Sequence, residues 1–428
     1  MMGEQGHFTR RYKSHHDAAR ELKKHFTADV DKREYVEELL AKEAARPRVL
    51  YLHVPFCNKI CSFCPFHKPD ALRRSTYDGY LISKLESLSR FEYMKAPIGA
   101  VNFGGGTPTA LSPNQMDRIL GRIHSLFDIA TGCEISVETS VSELTDHMLE
   151  VFMKNGVNRL SIGVQTFDDT TRKLLNRRGT GQKAAERIRA AQKAGIDNVG
   201  IDLIYNYPHQ TEKQLLDDLG MIKELGVAGI SFYSLMLHEG TPLSGRLTPD
   251  EKRLMEDLNR EYVFYSTILE ELKPWGFEMF ELTKLIRDNR DRYDYMRIRH
   301  NKGSCVGVGH GAGGNLDCYL YHNSHDVADI GPDIPVSTRG RVVSEEYFVI
   351  DRFIHDLQKT RVRLKDYSRL LEMDMESLLA PLTEQLEASD YIRWQEDGFE
   401  LTQWGAFWGN NIISELVQAI IKARIRDV

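Results

Sequence analysis

From Val49 to about residue 235 the chain repeats one unit, a short apolar run followed by a longer stretch with helical periodicity. The apolar runs are Val49–Val54, Gly99–Phe103, Glu134–Glu138, Arg159–Val164, Val199–Tyr205 and Gly229–Leu235. Helical patterns near 74–94, 113–128, 143–155, 181–194 and 212–225 separate them. Connections of that length between short strands require parallel pairing with crossover helices. Six such units in succession predict an α/β fold, an open, partial (β/α)6 barrel. A doubly wound, Rossmann-type sheet satisfies the same pattern. Either architecture gathers its ligands beyond the C-terminal ends of the strands.

Several chemically capable groups fall at those ends. The first run leads into Cys57-Asn-Lys-Ile-Cys61-Ser-Phe-Cys64. A C-x3-C-x2-C trio on one tight loop can hold three irons of a [4Fe–4S] cluster, leaving the fourth open to a small molecule. Zinc more naturally takes four ligands in paired C-x2-C spacings. Three unconnected buried thiols are the plainer alternative. The other strand ends carry Gly104-Gly-Gly-Thr107-Pro-Thr109, Glu138, Gln165 and Asp202. Alone, the glycines make a turn and Glu138 a solvated strand end; together on one rim they predict a binding site.

Composition bounds the rest. A chain of 428 residues has room for two or three domains. Its net charge of −6 gives no nucleic-acid footprint, and no apolar run approaches the ~20 residues that cross a bilayer. The opening residues lack a secretory signal's apolar stretch. Six cysteines, three of them in one cluster, fit a reducing compartment, so a cytoplasmic protein is expected. Residues 1–46 form a charged, helix-prone arm in which Phe26, Val30, Tyr35, Val36, Leu39 and Leu40 make a weak stripe.

Residues 47–245 are the expected barrel, and 246–340 its extension, closing the active site. The extension contains a long helix from Pro249 to about Leu272, the run Phe277–Leu282, the charged stretch Arg287–Arg299 and the glycine-rich segment Gly307–Gly314. From Gly309 that segment matches G-x-G-x-x-G, but no strand–turn–helix frames it. It is read as a loop closing around substrate or cofactor, with tight backbone packing as the alternative. Residues 341–428 read as a helical, winged-helix-like module, with an amphipathic Glu376–Leu386, a hairpin turning at Asp397-Gly398 and a final helix Ile412–Ile425. The charge balance gives DNA binding little support.

The motifs YLHVPFCNKICSFC, NFGGGTPTAL, EISVETS, GVNRLSIGVQTFDDTTRKLLNR, GIDLIYNYPHQT and GVGHGAGG, in this order, resemble the radical S-adenosylmethionine (SAM) superfamily. Within it they look like the oxygen-independent coproporphyrinogen III oxidase-like, HemN-type family, over residues 48–316 and more loosely beyond. The resemblance implies that Cys57, Cys61 and Cys64 ligate a [4Fe–4S] cluster and leave its open iron to the amino and carboxylate groups of SAM. It places Tyr51 near the methionyl part of SAM and the backbone of Phe63 near its adenine. Gly105 and Gly106 would receive the amino group, where a side chain would block the approach. Thr107, Glu138, Gln165, Arg177 and Asp202 fall on positions used around two SAM molecules, Arg177 as a bidentate partner for a carboxylate. Met236 is expected among the SAM contacts as well. Reductive cleavage would then give a 5′-deoxyadenosyl radical whose fate depends on the substrate held above it.

Within the family the sequence departs from two branches. Coproporphyrinogen dehydrogenases usually carry Cys-Gly-Cys after the second motif cysteine, and the haem-chaperone branch typically has Asp-Phe after the third, where this chain has Pro65-Phe66. Gly311–Gly314 and the tail Leu401–Asn411 look most like the anaerobic haem-utilisation, or anaerobilin synthase, branch. That likeness implies a methyltransferase that opens haem and releases iron, with SAM both as radical source and as methyl donor. Coproporphyrinogen chemistry, methylation of another ring and a haem carrier are the alternatives. A haem-like tetrapyrrole and an electron donor such as flavodoxin or ferredoxin are the implied partners. His67, His238 and His310 are candidate contacts to haem iron or propionates, and Cys305, near the glycine segment, is a fourth candidate. Cys133, Cys305 and Cys318 are too scattered for a second cluster.

Overall fold

The computed structural model of the protein describes residues 7–14, 16–28, 30–66, 71–326 and 340–426. Six parallel strands follow one another in sequence and in space: β1 (Arg48–Val54), β2 (Ile98–Gly105), β3 (Ile129–Ser140), β4 (Arg159–Gln165), β5 (Asn198–Tyr205) and β6 (Gly229–Ser234). Every crossover steps in the same direction, so the strand order never reverses as a doubly wound sheet requires. The partial barrel is the outcome. Two antiparallel strands, β7 (Phe277–Glu281) and β8 (Lys284–Arg287), extend it beyond β6. On the other edge β9 (Ser304–Val308) pairs parallel with β1, followed by β10 (Gly313–Leu316), β11 (Tyr319–His322) and β12 (Arg341–Val342). The glycine segment thus runs from the end of β9 into β10, whereas the charged stretch leaves the sheet after Arg287 and continues into a helix, Asp294–His300.

Strand alternation separates two environments. Leu50, Leu52, Val54, Val101, Phe103, Val137, Leu160, Ile162 and Leu203 point outward into the main core beneath the crossover helices. The alternate positions, Tyr51, His53, Asn102, Glu134, Ser136, Glu138, Arg159, Ser161 and Asp202, share the barrel's inner face. An apolar sheet with a polar interior is what a ligand-holding barrel needs.

Some boundaries differ from expectation. The pattern over 74–94 divides into helices Ala71–Arg74 and Tyr77–Leu88 and a 3-10 turn, Glu92–Met94. The long helix breaks into Pro249–Glu256 and Leu258–Leu272 because the Asp257 carboxylate accepts the N–H groups of Asn259 and Arg260, capping a new start. In the arm, helices His16–His25 and Lys32–Leu40 bury Phe26, Val36 and Leu40, but Val30 is exposed. Ahead of them Arg11 pairs with the buried Glu261 and lies 4.2 Å over the Phe407 ring. Lys13 Nζ donates to Ser234 Oγ at 2.9 Å. The arm therefore ties the end of β6 to the C-terminal module. That module interleaves helices Glu345–Gln358, Leu364–Leu371, Met375–Ala388 and Gly409–Arg426 with a small sheet of β13 (Arg361–Val362), β14 (Ile392–Gln395) and β15 (Gly398–Leu401), a winged-helix-like order with the hairpin turning at Asp397-Gly398.

The N-terminal end of the barrel is closed electrostatically. Asp291 is fully buried and receives Arg159 Nε at 2.8 Å and Lys284 Nζ at 2.8 Å. The Tyr293 ring lies 4.0 Å from the Arg159 guanidinium and 4.9 Å from Lys284 Nζ. Burial alone would raise the Asp291 carboxyl, but the two cations outweigh it and hold the group well below the usual range. Its stabilising contribution is therefore present above the ordinary Asp value of about 4 and lost as pH falls below it. Asp291→Ala strands two buried cations and should cost about 3–5 kcal/mol in urea denaturation at pH 7; a loss below ~1 kcal/mol would contradict this role.

Candidate active site

The pairing of β1 with β2 continues past the strands and fixes the cysteine loop. The Gly106 N–H donates to the Val54 carbonyl at 2.9 Å and the Thr107 N–H to that of Phe56 at 2.8 Å. A Cβ at Gly106 would lie 2.6 Å from the Phe56 oxygen and 3.1 Å from Cys57 Sγ. Gly105 has φ of +116°, and a Cβ there would meet the His53 ring and the Val54 oxygen at 2.9 Å. Glycine is required twice over. The opposite flank is held by Ser62, whose N–H donates to Leu175 O at 3.1 Å and whose hydroxyl donates to Leu174 O at 2.8 Å. Asn176 Nδ2 reaches Ile60 O at 2.7 Å.

One open cavity of about 320 Å³ lies over this loop, at the lower end of the usual ~300–1,000 Å³ range for a ligand pocket. Cys57, Cys61 and Cys64 line it, with Phe63 and the run Gly105–Thr107. Glu138 and Gln165 reach it from the last residues of β3 and β4, Asp202 from within β5, and Arg177 from the loop after the helix Asp169–Leu174. Gln165 sits at a register shift between β4 and β5 with φ of 72°, a bulge that re-aims its side chain. A buried arginine sets this corner: Arg172 donates to the carbonyls of Val164, Thr166, Arg178 and Gly179 at 2.8–2.9 Å. It thereby holds the Gln165 and Arg177 segments together.

Arg177 reaches the cavity beside the cysteine loop. Its Nη1 donates to Cys61 Sγ at 3.0 Å and its Nη2 to the Gly163 carbonyl, while Nε is buried without a hydrogen bond among the described residues. Cys57 Sγ lies 3.5 Å from Thr107 Oγ1. Among the described residues no three His, Cys, Asp or Glu groups converge on a single metal ion. Thiols spread around a cavity floor suit a cluster, in which each iron takes one thiolate. The diglycine cradle, the orphaned guanidinium nitrogen and the two carboxylates all fit a cluster with a polar ligand above it.

The remaining predicted residues lie elsewhere. Tyr51 is inside the barrel, its hydroxyl 2.9 Å from His53 Nδ1. Met236 is exposed on the loop after β6, and the His238 carbonyl accepts the Thr241 hydroxyl at 2.7 Å there. His310 is buried, its ring stacked 4.2 Å from that of Tyr80. Cys305 is buried on β9 against Val49, Ala100 and Tyr295. None of these five lines the cavity. His67 lies outside the described residues. The glycine segment serves backbone packing: Cβ atoms at Gly307, Gly309 and Gly314 would lie 2.4–2.5 Å from the carbonyls of Gly313, His53 and Cys305.

Residues 51–222 match the Radical SAM superfamily. The protein named anaerobilin synthase of Escherichia coli O157:H7 is 28% identical over 400 residues, covering 90% of this chain and 87% of that one. Heme chaperone HemW of Lactococcus lactis subsp. lactis is also 28% identical, over 376 residues, covering 87% of this chain and 98% of its own. The solved coproporphyrinogen III oxidase (HemN) from Escherichia coli superposes with a TM-score of 0.78 at 20% identity, over 92% of this chain and 94% of that one. The chain carries a radical SAM domain in a HemN-type fold. Among the described residues no helix is long and apolar enough to cross a membrane.

Sequence reasoning about this radical SAM domain missed His53. Its imidazole is pushed down to about 4 by burial first and then by His325, His322 and His310. The alternation of β1 was the signal, since it puts His53 on the same face as Tyr51. Arg172 was missed because helical spacing says nothing about a guanidinium turned back onto carbonyls.

The cavity carboxylates are poorly solvated. Burial, and secondarily Asp202, push the Glu138 carboxyl from 4.5 up to about 7, against a hydrogen bond from the Gly105 N–H. Burial also raises Asp202, with Lys284, Arg159 and Arg177 opposing. Between 4.5 and about 7 the folded chain retains a proton that the unfolded chain has released, so this group makes stability fall as pH rises. Glu138→Gln should match the wild type in ligand-free thermal stability at pH 5 and exceed it by about 1–2 kcal/mol at pH 7.5. A difference independent of pH would rule out the shift.

Proposed function

We propose that this radical SAM enzyme of the HemN family acts on haem, methylating and opening the macrocycle with release of iron. The observation that carries the reading is the meeting, in one cavity, of three thiols, a diglycine cradle and polar groups from three successive strands. When bound, the cluster and SAM supply one-electron reductive cleavage of a sulfonium C–S bond.

The chain's own groups do the holding. Cys57, Cys61 and Cys64 each offer one thiolate, and the Arg177 guanidinium beside Cys61 offsets part of their negative charge. Gly105 and Gly106 leave the backbone open for an amino group, and Phe63 offers its backbone to an adenine. Glu138 and Asp202 are acceptors for ribose hydroxyls, and Gln165 is aimed by its bulge. The Thr107 hydroxyl lines the cavity 3.5 Å from Cys57 Sγ. The likeness to anaerobilin synthase over 90% of the chain supports haem as the ring attacked. The equal identity to a haem chaperone supports a second reading, a carrier that binds haem without changing it.

Anaerobically reconstituted protein mixed with haem, SAM and a reductant separates the two. The proposal expects loss of the Soret band together with 5′-deoxyadenosine and S-adenosylhomocysteine. Haem that binds and keeps its Soret band, with no methyl transfer, would overturn it in favour of the carrier.

A further inference from the structure

We propose that Lys23, Arg299 and Arg341 line a carboxylate-binding recess on the inner side of the β9–β12 edge, which anchors the acidic side chains of a ring substrate. The inference rests on the reading of haem as substrate above and deepens it by naming the groups that hold the ring's propionates. The three cations come from distant parts of the chain. Arg299 lies on the helix Asp294–His300, Lys23 on the arm helix His16–His25, and Arg341 opens β12. None of them lines the cavity over the cysteine loop. Strand pairing sets Val49, Cys305, Asn315, Leu320 and Arg341 opposite one another across β1, β9, β10, β11 and β12, so Arg341 stands on the sheet face that carries Cys305. Tyr295 packs on that face, and its hydroxyl accepts Arg299 Nη1 at 3.2 Å. Arg341 Nη1 donates to the Lys23 carbonyl at 3.3 Å and fastens the arm helix to the same edge. The His300 ring, stacked 3.6 Å from that of His355, holds the end of the Arg299 helix against the helix Glu345–Gln358.

All three cations are exposed, and among the described residues none has its charge spent in an ion pair. They are nonetheless recessed. Burial holds the Lys23 ammonium below its usual range, with Asp351 opposing and Arg341 and Arg299 reinforcing the shift. Burial would weaken the Arg299 charge too, but Tyr295, Cys305, Asp351 and Tyr293 outweigh it. One carboxylate, Asp351, does not neutralise three cations. Glu281, the other acid near Arg299, is itself raised by burial and answers to His355 and Lys284 ahead of Arg299. Poorly solvated cations without an internal partner gain from a ligand that brings its own carboxylates, and each guanidinium can take one of them bidentately.

A wall of tyrosines joins this recess to the SAM cavity. Tyr51 and the cavity residue Glu138 meet over Gly104, where a Cβ would lie 3.0 Å from the Tyr51 ring and 2.8 Å from the Glu138 carboxylate. The Tyr295 ring centroid lies 5.9 Å from that of Tyr51, and the Arg299 guanidinium lies 5.2 Å over Tyr295. Tyr233, on the inner face of β6, is 45% exposed, so side chains do not fill the barrel interior at that level. A flat aromatic ring laid on the tyrosines presents one edge to the SAM cavity and the other, with its acidic chains, to Lys23, Arg299 and Arg341.

The test titrates the full chain with haem, haem dimethyl ester and coproporphyrin III, read by Soret absorbance and tryptophan quenching. Haem should bind roughly tenfold or more tightly than its dimethyl ester, whose esterified propionates cannot pair with a cation. Lys23→Gln, Arg299→Gln and Arg341→Gln should each weaken haem binding by about tenfold and leave the affinity for the ester unchanged. Arg299→Lys should recover part of the loss. Lys23→Gln and Arg341→Gln alter exposed side chains, so the test stands even where Arg299→Gln does not fold. Equal affinity for haem and its ester, variants that weaken both alike, or no binding of any of the three porphyrins would overturn the recess. Coproporphyrin III held through the same three residues by a chain that does not bind haem would keep the recess and refute haem as the ring attacked.

Discussion

The hydrogen bonds from Gly106 to Val54 and from Thr107 to Phe56 carry the rest of the site. They extend a parallel strand pair by two residues beyond its last rung, so the loop after β1 cannot move independently of the loop after β2. One loop supplies thiols and the other bare backbone, and their separation is set by peptide geometry rather than by side chains. A methyl group at Gly106 would strike both the Phe56 carbonyl and Cys57 Sγ, so the thiol position and the cradle are a single constraint. Phe63 and Cys64 inherit their places from the same loop, whose far flank is pinned by Ser62.

The interior of the barrel carries a cost that this arrangement explains. Glu134, Glu138, Arg159, Asp202, Lys284 and Asp291 all project into a space that a purely structural barrel would fill with branched apolar chains. At the N-terminal end the charges neutralise one another around Asp291. At the C-terminal end Glu138 and Asp202 are held above their usual range by burial, although Arg159 below opposes the shift at both. A protein gains little from poorly solvated carboxylates unless a ligand supplies donors to them. The gradient from compensated to uncompensated charge points along the strands to the cavity.

What was legible in the sequence followed from local rules. Cys57, Cys61 and Cys64 are close in the chain because one loop must present them, and Glu138, Gln165 and Asp202 stand on strands that periodicity locates. Long-range adjacency was not legible. Nothing in the spacing of Gly307–Gly314 shows that β9 lies beside β1, so glycines used for packing look like a ligand loop. The same adjacency takes Cys305 and His310 into packed surroundings away from the cavity. Asp291 lies 132 residues from Arg159, and a charged stretch reads as solvated until its partner is known. The break at Asp257 was visible as a capping carboxylate but was outweighed by apolar spacing that runs straight through it.

The central claim is that the three thiols hold a cluster with one iron open to SAM in the diglycine cradle. Electron paramagnetic resonance of the anaerobically reconstituted, reduced protein, recorded with and without SAM, tests it most directly. The account predicts a reduced [4Fe–4S] signal whose g values shift when SAM is added, and no such signal when Cys57, Cys61 and Cys64 are all replaced by alanine. A cluster signal indifferent to SAM, or one that survives the triple replacement, would contradict it.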